Sequence, residues 1–324
     1  MLTYSIAIRT LGTGGEKYRE ELRSIQLQTV RPERVLVYIA EGCTEPVFRE
    51  GNEEYIPVPR GMMAQRILPY NEISSDCVLM LDDDVRLAPD SAEKLLAALE
   101  GQRADCVGAD VFRNQEMPLN RRLFAAVTGL VFPHRSRKWA FKLHRNGSFS
   151  YNGRPEDLPY LSQTCGGPAQ LWRKDAFLRM RMEEELWLDT LPFPYNEDTL
   201  MTYKLYRNGG RLCVLYGSGI ENLDGATSSA GYKNSMDRIH VRTKASFMVW
   251  WRTCYRNGAN TCLSRTLAAV AFALKSLWMV LVMAVASVVT LSPRVLPSYF
   301  KGMLDGWRSV HAPAFAGLGK YVFV

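Results

Sequence analysis

Three adjacent aspartates are the most specific chemical signal in the sequence. Asp82, Asp83 and Asp84 follow directly after the apolar run 77–81. Neighbouring carboxylates repel one another, so a divalent cation is the simplest way to hold three of them together at a strand end. The carboxyl ends of strands are also where open α/β sheets bind their ligands. The cluster therefore predicts a metal site, with an ordinary acidic turn as the alternative.

A second pair of acids stands about a hundred residues later. Glu197 and Asp198 follow the segment LPFPYN and begin a predicted helix. The positive end of a helix dipole favours ionised carboxylates, which suits a general base that accepts a proton from a hydroxyl. Acids in a first helical turn also occur for stability alone, so the pair by itself leaves both interpretations open.

The elements that must position these acids form an α/β pattern. Nearly continuous apolar runs, typical of strands buried on both faces, predict four strands at 4–8, 34–40, 54–58 and 77–81. Helical spacing predicts a helix over 16–28, and Asp90 with Glu93 predicts a capping box for the next one. The first hundred residues thus predict an open parallel sheet covered by helices.

The middle of the chain looks irregular. The segments 133–147 and 151–163 are polar and predict loops, whereas CGGPAQLW at 165–172 predicts a strand entered through glycines. A helix over 197–208 ends at two glycines, and the strand RLCVLYG follows. Long irregular segments in an enzyme are usually lids or substrate loops.

The last part of the chain is apolar and basic. Between Arg265 and Arg294 the only charge is Lys275, and the run 266–292 is long enough to cross a hydrocarbon core of about 30 Å. It could span a membrane, lie in its plane or be buried in the fold. Basic residues on both sides favour a monotopic anchor: Arg252, Arg256, Arg265, Arg294, Lys301 and Arg308.

Charge and cysteine content narrow the compartment and the partners. The chain carries +7 overall, but residues 232–324 carry +10, with only Asp237 and Asp305 as acids, and residues 1–231 carry −3. This distribution indicates an anionic membrane surface as partner, and we expect no nucleic acid. The seven scattered cysteines indicate reduced thiols, and the N-terminus lacks a secretory pattern. We expect the protein at the cytoplasmic face of the cell membrane.

Taken in order, the motifs resemble family 2 glycosyltransferases with the GT-A fold, in particular membrane-associated bacterial members. The similar segments are SIAIRTLGTGGEKYREELRSIQLQTVRPERVLVYIAEG, GMMAQRI, LMLDDDVRLAPD, GGPAQLWRKDAF and NEDTLMTYKLYRNGGRL. They cover about 210 residues. The resemblance implies a GT-A domain over 1–231, consisting of a Rossmann-like nucleotide-binding sheet and an acceptor-side subdomain, followed by a helical membrane-association region over 232–324.

The resemblance also implies a donor site for a nucleoside-diphosphate sugar. Thr10 and Glu41 would flank the base and ribose, and Arg66 would lie near the base or diphosphate. Gly166 and Gly167 would let the backbone approach the donor sugar.

The same comparison implies the roles of the acids. Asp84 would bind Mn²⁺ or Mg²⁺ directly, and Asp82 would lie at the ribose or the metal's waters. Asp83, at the variable middle position, would belong to the nucleotide-sugar site. Asp198 would be the base, with Glu197 beside it.

Some positions depart from the family pattern. Gln65 and Ile67 replace a small residue and the usual Asn, and the His often found after the last strand is missing. A third metal contact would come from Asn222, or the metal would be held by Asp84 and the diphosphate alone.

The implied activity is metal-dependent, inverting sugar transfer from a nucleoside-diphosphate sugar, most simply of the UDP type. The acceptor would be a hydroxyl of a glycan or of a lipid-linked molecule, in cell-surface glycan or glycolipid synthesis. One rival is a sugar-phosphate nucleotidyltransferase, but LGTGGEK is a poor match to the loop that such an enzyme needs. Another is an inactive, membrane-anchored sugar-nucleotide or glycan-binding protein, which the intact acids disfavour.

Overall fold

The computed structural model describes residues 2–111, 119–128, 131–192, 196–223 and 235–321. The strands are β1 (Tyr4–Thr10), β2 (Val35–Ala40), β3 (Glu53–Val58), β4 (Cys77–Asp82), β5 (Val85–Leu87), β6 (Cys106–Ala109), β7 (Val131–His134), β8 (Phe141–Leu143), β9 (Phe149–Asn152), β10 (Pro159–Leu161), β11 (Ala169–Arg173), β12 (Leu212–Leu215) and β13 (Ile220–Asn222). The α-helices are α1 (Gly15–Gln26), α2 (Ser91–Gly101), α3 (Leu119–Thr128), α4 (Lys174–Arg179), α5 (Glu197–Arg207), α6 (Ser235–Trp250), α7 (Cys262–Val289), α8 (Val295–His311) and α9 (Pro313–Ala316). A 3₁₀ helix covers Met182–Thr190 and a π-helical turn covers Trp251–Asn257.

The main sheet has eight strands in the order β10-β12-β6-β11-β4-β1-β2-β3. Strands β3, β2, β1 and β4 are parallel, whereas β11 runs antiparallel between β4 and β6. The parallel strands therefore end at one edge, where β4 ends at Asp82 and is followed by Asp83 and Asp84. Two small sheets, β13-β5 and β7-β9-β8, flank the main sheet.

Alternate residues of the buried strands face two apolar cores. Val37 and Leu79 face the core that contains α1 and α2, whereas Leu36 and Val78 face the other core. That second core contains α4, α5 and part of α6. Strands buried on both faces explain why β1, β2 and β4 are nearly continuous apolar runs. The mixed α/β fold class predicted from the sequence is confirmed.

Two local predictions are wrong. Asp90 makes no capping hydrogen bond at α2 and instead pairs with Lys94 at 2.9 Å, while Glu93 accepts a hydrogen bond from Thr29. The segments 133–147 and 151–163, predicted as loops, contribute to the short strands β7–β10. These strands are partly exposed and therefore lack the continuous apolar runs of buried strands, and β10 pairs with the distant strand β12, which a local pattern does not reveal.

The apolar run predicted over 266–292 forms most of α7, which ends at Val289, so residues 290–292 lie beyond the helix. Thr261 and Ser264 form a capping box that begins this helix. Within the described ranges, α7 is the one helix long and apolar enough to cross a membrane, judged by length and composition. Helices α6 and α8 lie close together at Gly302, where a Cβ would be only 2.6 Å from the His240 carbonyl oxygen. The absence of a side chain at Gly302 therefore permits this approach.

A buried ion pair connects the C-terminal helical region to the sheet domain. Arg252 and Glu185 are both fully buried, and the guanidinium binds the carboxylate with an Nη2–Oε1 distance of 2.6 Å. Burial opposes the charge on Glu185, but hydrogen bonds and charges from Arg252 and Lys204 hold its pKa below the usual range. The division into 1–231 and 232–324 stays a prediction.

We expect Glu185→Ala to lower the free energy of unfolding by about 3–5 kcal/mol, because it leaves Arg252 charged and buried without its partner. Urea denaturation measures this loss. Glu183→Ala is the matched control, since Glu183 is an exposed acid of the same 3₁₀ helix that pairs with Arg181. A loss no larger than that of the control would contradict the role of the buried pair.

Candidate active site

The three aspartates lie at the end of β4 and make different contacts. Asp82 pairs with Arg9 and lies 3.9 Å from the Nη2 atom of Arg66. Burial raises the pKa of Asp82, but the two guanidinium charges outweigh it and hold the pKa below its usual value. Asp82 is therefore an ionised acid whose partners are arginines.

Asp83 faces the end of β1. Its carboxylate accepts a hydrogen bond from the Thr10 hydroxyl, which in turn accepts one from the Gly12 amide at 2.8 Å. Burial, with a contribution from the charge of Asp82, raises the pKa of Asp83. Thr10 and Asp83 thus form one hydrogen-bonded unit at the donor edge of the sheet.

Asp84 lies beside the short strand β13. The Asn222 side-chain amide donates to the Asp84 carboxylate at 3.3 Å, and the Leu223 amide donates to its carbonyl at 2.7 Å. Glu21 of α1 is fully buried, and its pKa is raised well above the usual value by burial and by the charges of all three aspartates. Burial and the neighbouring aspartates therefore disfavour the ionised form of Glu21.

Arg66 connects the first acid cluster to the second. It is almost fully buried, and its Nη2 atom lies 3.2 Å from Glu197 and 3.9 Å from Asp82. Asp189 positions the turn that carries Arg66 by accepting hydrogen bonds from the amides of residues 63 and 64, both at 2.8 Å. The structure therefore brings together two motifs that are far apart in the sequence.

Gly167 lies against this guanidinium. A Cβ at that position would be 2.6 Å from the Nη1 atom of Arg66, so a side chain would displace the arginine. The Gly167 carbonyl also accepts a hydrogen bond from Arg9 at 2.9 Å. Gly166 precedes it and lines the cavity described below.

Asp198 lies in the first turn of α5. Asn196, with a φ of 64°, turns the chain into the helix, and the Thr199 amide donates to Asp198 at 2.6 Å. Burial, reinforced by the adjacent charge of Glu197, raises the pKa of Asp198 to about 6. A carboxylate with this pKa is ionised at neutral pH and accepts a proton more readily than an ordinary aspartate.

Glu41 is the predicted residue that stands apart. It follows β2 at the same sheet edge and is exposed, and its backbone amide donates to the Val58 carbonyl at 2.8 Å. The structure places it near the end of the strand next to Thr10, but not in the cluster formed by the aspartates, Arg66 and Glu197.

A cavity of about 480 Å³ is lined in part by Asp198. Asn196, Thr199 and Gly166 also line it, together with side chains from the sheet β7-β9-β8 and from the C-terminal helices. Its volume lies in the range typical of small-molecule sites, about 300–1,000 Å³. The base candidate thus borders this cavity, and the adjacent Glu197 lies 3.2 Å from Arg66.

The sequence interpretation missed Arg9, Glu21 and Asp189. Arg9 was detectable as a lone charge in a strand that is otherwise buried. Glu21 was detectable because it lies three residues from Tyr18 and four from Ile25, on the apolar stripe of α1. Asp189 gives no local signal, because its partners are more than a hundred residues away.

The donor atoms around Asp84 suit a hard divalent cation. Within the described residues, no three His, Cys, Asp or Glu side chains converge on one point as a preformed metal site. Mg²⁺ and similar ions are often held by one or two carboxylates, with substrate phosphates completing the shell. Asp84 and the side-chain oxygen of Asn222 fit this arrangement, whereas Asp82 is engaged by Arg9.

Comparisons with known proteins bear on the fold. No family model and no curated protein sequence matches the chain. S. aureus TarS 1–349, solved in complex with UDP-GlcNAc, is similar in structure, with a TM-score of 0.51 and 14% identity over 97% of this chain and 83% of that chain. GalNAc-T7, solved with UDP, GalNAc and Mn²⁺, gives a TM-score of 0.50 and 12% identity over 85% of this chain.

The chain has the GT-A fold. It spans 56% of the GalNAc-T7 chain. At these identities the similarity establishes the arrangement of strands and helices. The chemistry must therefore be argued from the site itself.

Proposed function

We propose that the protein transfers a sugar from a nucleoside-diphosphate sugar, most simply of the UDP type, to an acceptor hydroxyl. The observation that carries this proposal is the position of Arg66, which lies between Asp82 of the aspartate cluster and Glu197 next to the base candidate. A donor bound over the aspartates would present its sugar toward Asp198. The nucleotide-sugar ligands named for TarS and GalNAc-T7 support the same donor class.

The donor would lie along the edge formed by β1, β2 and β4. Thr10 and Glu41 would contact the base and ribose, and Arg9 and Arg66 would supply positive charge close to the diphosphate. Gly167 leaves room for the Arg66 guanidinium, and Gly166 would let the sugar approach the backbone. Asp82 would keep both arginines in place through its ion pairs.

The reaction would be a single displacement. The acceptor oxygen would form a bond to the anomeric carbon while the bond to the diphosphate breaks and the diphosphate leaves with the electron pair. Asp198 would take the hydroxyl proton, and attack opposite the leaving group would invert the anomeric configuration. A divalent cation at Asp84 and Asn222 would offset the charge of the leaving diphosphate.

The activity is tested by incubating the purified full chain with a panel of UDP-, GDP- and dTDP-sugars and measuring release of the nucleoside diphosphate. We expect release that depends on Mn²⁺ or Mg²⁺ and is specific for one base. Formation of a pyrophosphate from a sugar phosphate and a nucleoside triphosphate would instead identify a nucleotidyltransferase. Binding without turnover of any donor would identify an inactive binding protein.

We also propose that α7 holds the enzyme on the cytoplasmic face of a membrane, for cell-surface glycan or glycolipid synthesis. One side of α7 packs on the protein, where Phe272 stacks on Trp250 with ring centroids 3.8 Å apart. The other side exposes large apolar residues: Leu263, Leu267, Val270, Leu274, Leu277, Leu281, Val285 and Val288. A helix packed on one side and apolar on the other suits in-plane insertion, with the exposed residues Arg294, Lys301 and Arg308 on anionic headgroups.

We expect the full chain to sediment with phosphatidylglycerol-containing vesicles and to stay bound in 1 M NaCl, because salt screens charges but not apolar burial. Replacing Leu277 and Leu281 together by Gln should abolish salt-resistant binding. The matched control replaces Leu27 and Leu178, exposed leucines of the sheet domain. Release of the unaltered protein by salt would mean that it binds the vesicles through charge alone and that α7 does not insert.

A further inference from the structure

Helix α7 has two different apolar faces. Beside the exposed face described above, a second face points inward and lines the cavity near Asp198 with residues at helical spacing: Phe272, Lys275, Ser276, Met279 and Met283. One helix therefore separates the proposed membrane surface from an internal cavity. The cavity lies directly behind the surface that would contact lipid.

The remaining walls of the cavity are mainly apolar. They come from the sheet β7-β9-β8, from α6 and from α8, and include Phe141, Leu143, Phe149, Phe247, Trp250 and Met303. The opposite end is polar, because it is formed by Asp198, Thr199, Asn196 and Thr164 at the catalytic edge. The cavity thus connects the base candidate to the C-terminal helices and changes from polar to apolar along the way.

A basic residue interrupts the apolar walls. Lys275 is partly buried and donates a hydrogen bond to the Asn146 carbonyl at 3.1 Å. Among the lining residues that the structure describes, the carboxylates are Asp110 and Asp198, both at the catalytic end. Positive charge in an apolar wall favours an occupant that carries an anionic group along with its hydrocarbon part.

We propose that the acceptor is an anionic lipid whose hydrocarbon chain occupies this cavity and whose hydroxyl meets Asp198. The proposal rests on the glycosyltransferase function argued above and names the acceptor class for it. A water-soluble glycan would bring many hydroxyl groups that these walls leave without partners, and each unpaired polar group costs free energy. A lipid would bury its methylene groups there, on the inner side of the helix that is proposed to contact the membrane.

The chemistry at the acceptor end is the displacement already described. The acceptor oxygen forms the new glycosidic bond, its proton passes to Asp198, and the donor's bond to the diphosphate breaks. The hydrocarbon chain takes no part in these steps and serves to position the oxygen. Binding of the chain can therefore be measured separately from turnover.

The probes are butyl, hexyl and octyl phosphate, which share one anionic group and differ in chain length. Their binding to the full chain in lipid nanodiscs is measured by calorimetry, with empty nanodiscs as blank. We expect the affinity to rise about fourfold for each added methylene group, as complete apolar burial predicts. Equal affinity for butyl and octyl phosphate would overturn the lipid acceptor, because the cavity would then recognise only the phosphate.

A cavity-filling variant tests the location. Ser246 of α6 lines the cavity, whereas Lys244 on the same helix does not. Ser246→Trp should weaken octyl phosphate binding about tenfold or more by displacing several methylene groups, and Lys244→Trp should leave it unchanged. Equal affinity of both variants for octyl phosphate would mean that the hydrocarbon chain binds elsewhere, and would overturn the proposal. A variant counts only if it melts within a few degrees of the unaltered protein; if Ser246→Trp does not, Met283→Trp takes its place.

Binding of UDP and GDP with Mn²⁺ is measured on the same samples, because it separates the two possible failures. The lipid acceptor is overturned, and the proposed function stands, if the nucleotide binds but the affinity for alkyl phosphates depends neither on the length of their hydrocarbon chain nor on the cavity-filling substitution. Absence of nucleotide binding in the unaltered protein overturns the proposed function itself.

Lys275→Met should weaken the binding of octyl phosphate about tenfold and leave nucleotide binding unchanged. An unaltered affinity for octyl phosphate would exclude the anionic group from this wall of the cavity.

Discussion

Replacing Asp198 by Asn should lower turnover by about 10²–10⁴-fold while the nucleotide still binds, because the amide keeps the shape of the side chain but cannot accept the acceptor's proton. The side chain lies in the first turn of α5, at the cavity, and outside the aspartate cluster. Steady-state kinetics together with nucleotide titration separate the two effects. Asp175→Asn, on an exposed acid of α4, is the matched control.

The pH dependence gives an independent measurement on the same residue. Because the pKa of Asp198 is raised to about 6, first by burial and then by Glu197, the base is neutral below this pH and turnover should fall there. Glu197→Gln removes a neighbouring negative charge, so the pKa of Asp198 should drop and the acidic limb should move to lower pH. An inactive Glu197→Gln protein beside an active Asp198→Asn protein would mean that Glu197 is the base.

The sequence located the two acid motifs because each stands next to a strong local signal. The aspartates follow a strand that is apolar on both faces, and Glu197 and Asp198 precede a helix ended by two glycines. Both boundaries are matters of local hydrophobicity and turn chemistry. The relation between the motifs was not local, since it depends on Arg66, whose turn is held by Asp189 from another part of the chain.

The acceptor side was less predictable for a related reason. Strands β8 and β9 are short and only partly buried, so they lack the apolar runs that identify β1, β2 and β4. They form because they pair with each other and pack near α6, where the Trp250 indole donates to the Arg145 carbonyl at 2.8 Å. The contact with Trp250 joins segments more than a hundred residues apart, so the cavity that these elements enclose has no sequence signature.

The position of α7 shows the same limit. Composition identified an apolar helix over 266–292 but left open whether it spans a membrane, lies in its plane or is buried. Its inward face is defined by contacts such as the stacking of Phe272 on Trp250, which only the folded chain provides. The exposed face remains as apolar as the inward one, so an amphipathic pattern of the usual kind is missing.

An equally large loss of activity is expected at Asp84. A metal that offsets charge on a leaving diphosphate contributes several kcal/mol, so Asp84→Asn should lower turnover about 10²–10⁴-fold, and a chelator should do the same to the unaltered protein. Added Mn²⁺ should restore the chelated enzyme but not the variant. Asp83→Asn is the matched control, because Asp83 is bound by the Thr10 hydroxyl rather than by Asn222.

A substitution at Asn222 tests whether the metal is bound by Asp84 and Asn222 together or by Asp84 as the only protein ligand. If its side-chain oxygen completes the site, Asn222→Ala should raise the Mn²⁺ concentration needed for half-maximal activity by about 10–100-fold and leave the maximal rate largely intact. If Asp84 and the diphosphate suffice, the Mn²⁺ dependence of the variant will match that of the unaltered protein. Full activity of Asp84→Asn in chelator would remove the metal from the mechanism, leaving Arg9 and Arg66 to offset the charge of the leaving group.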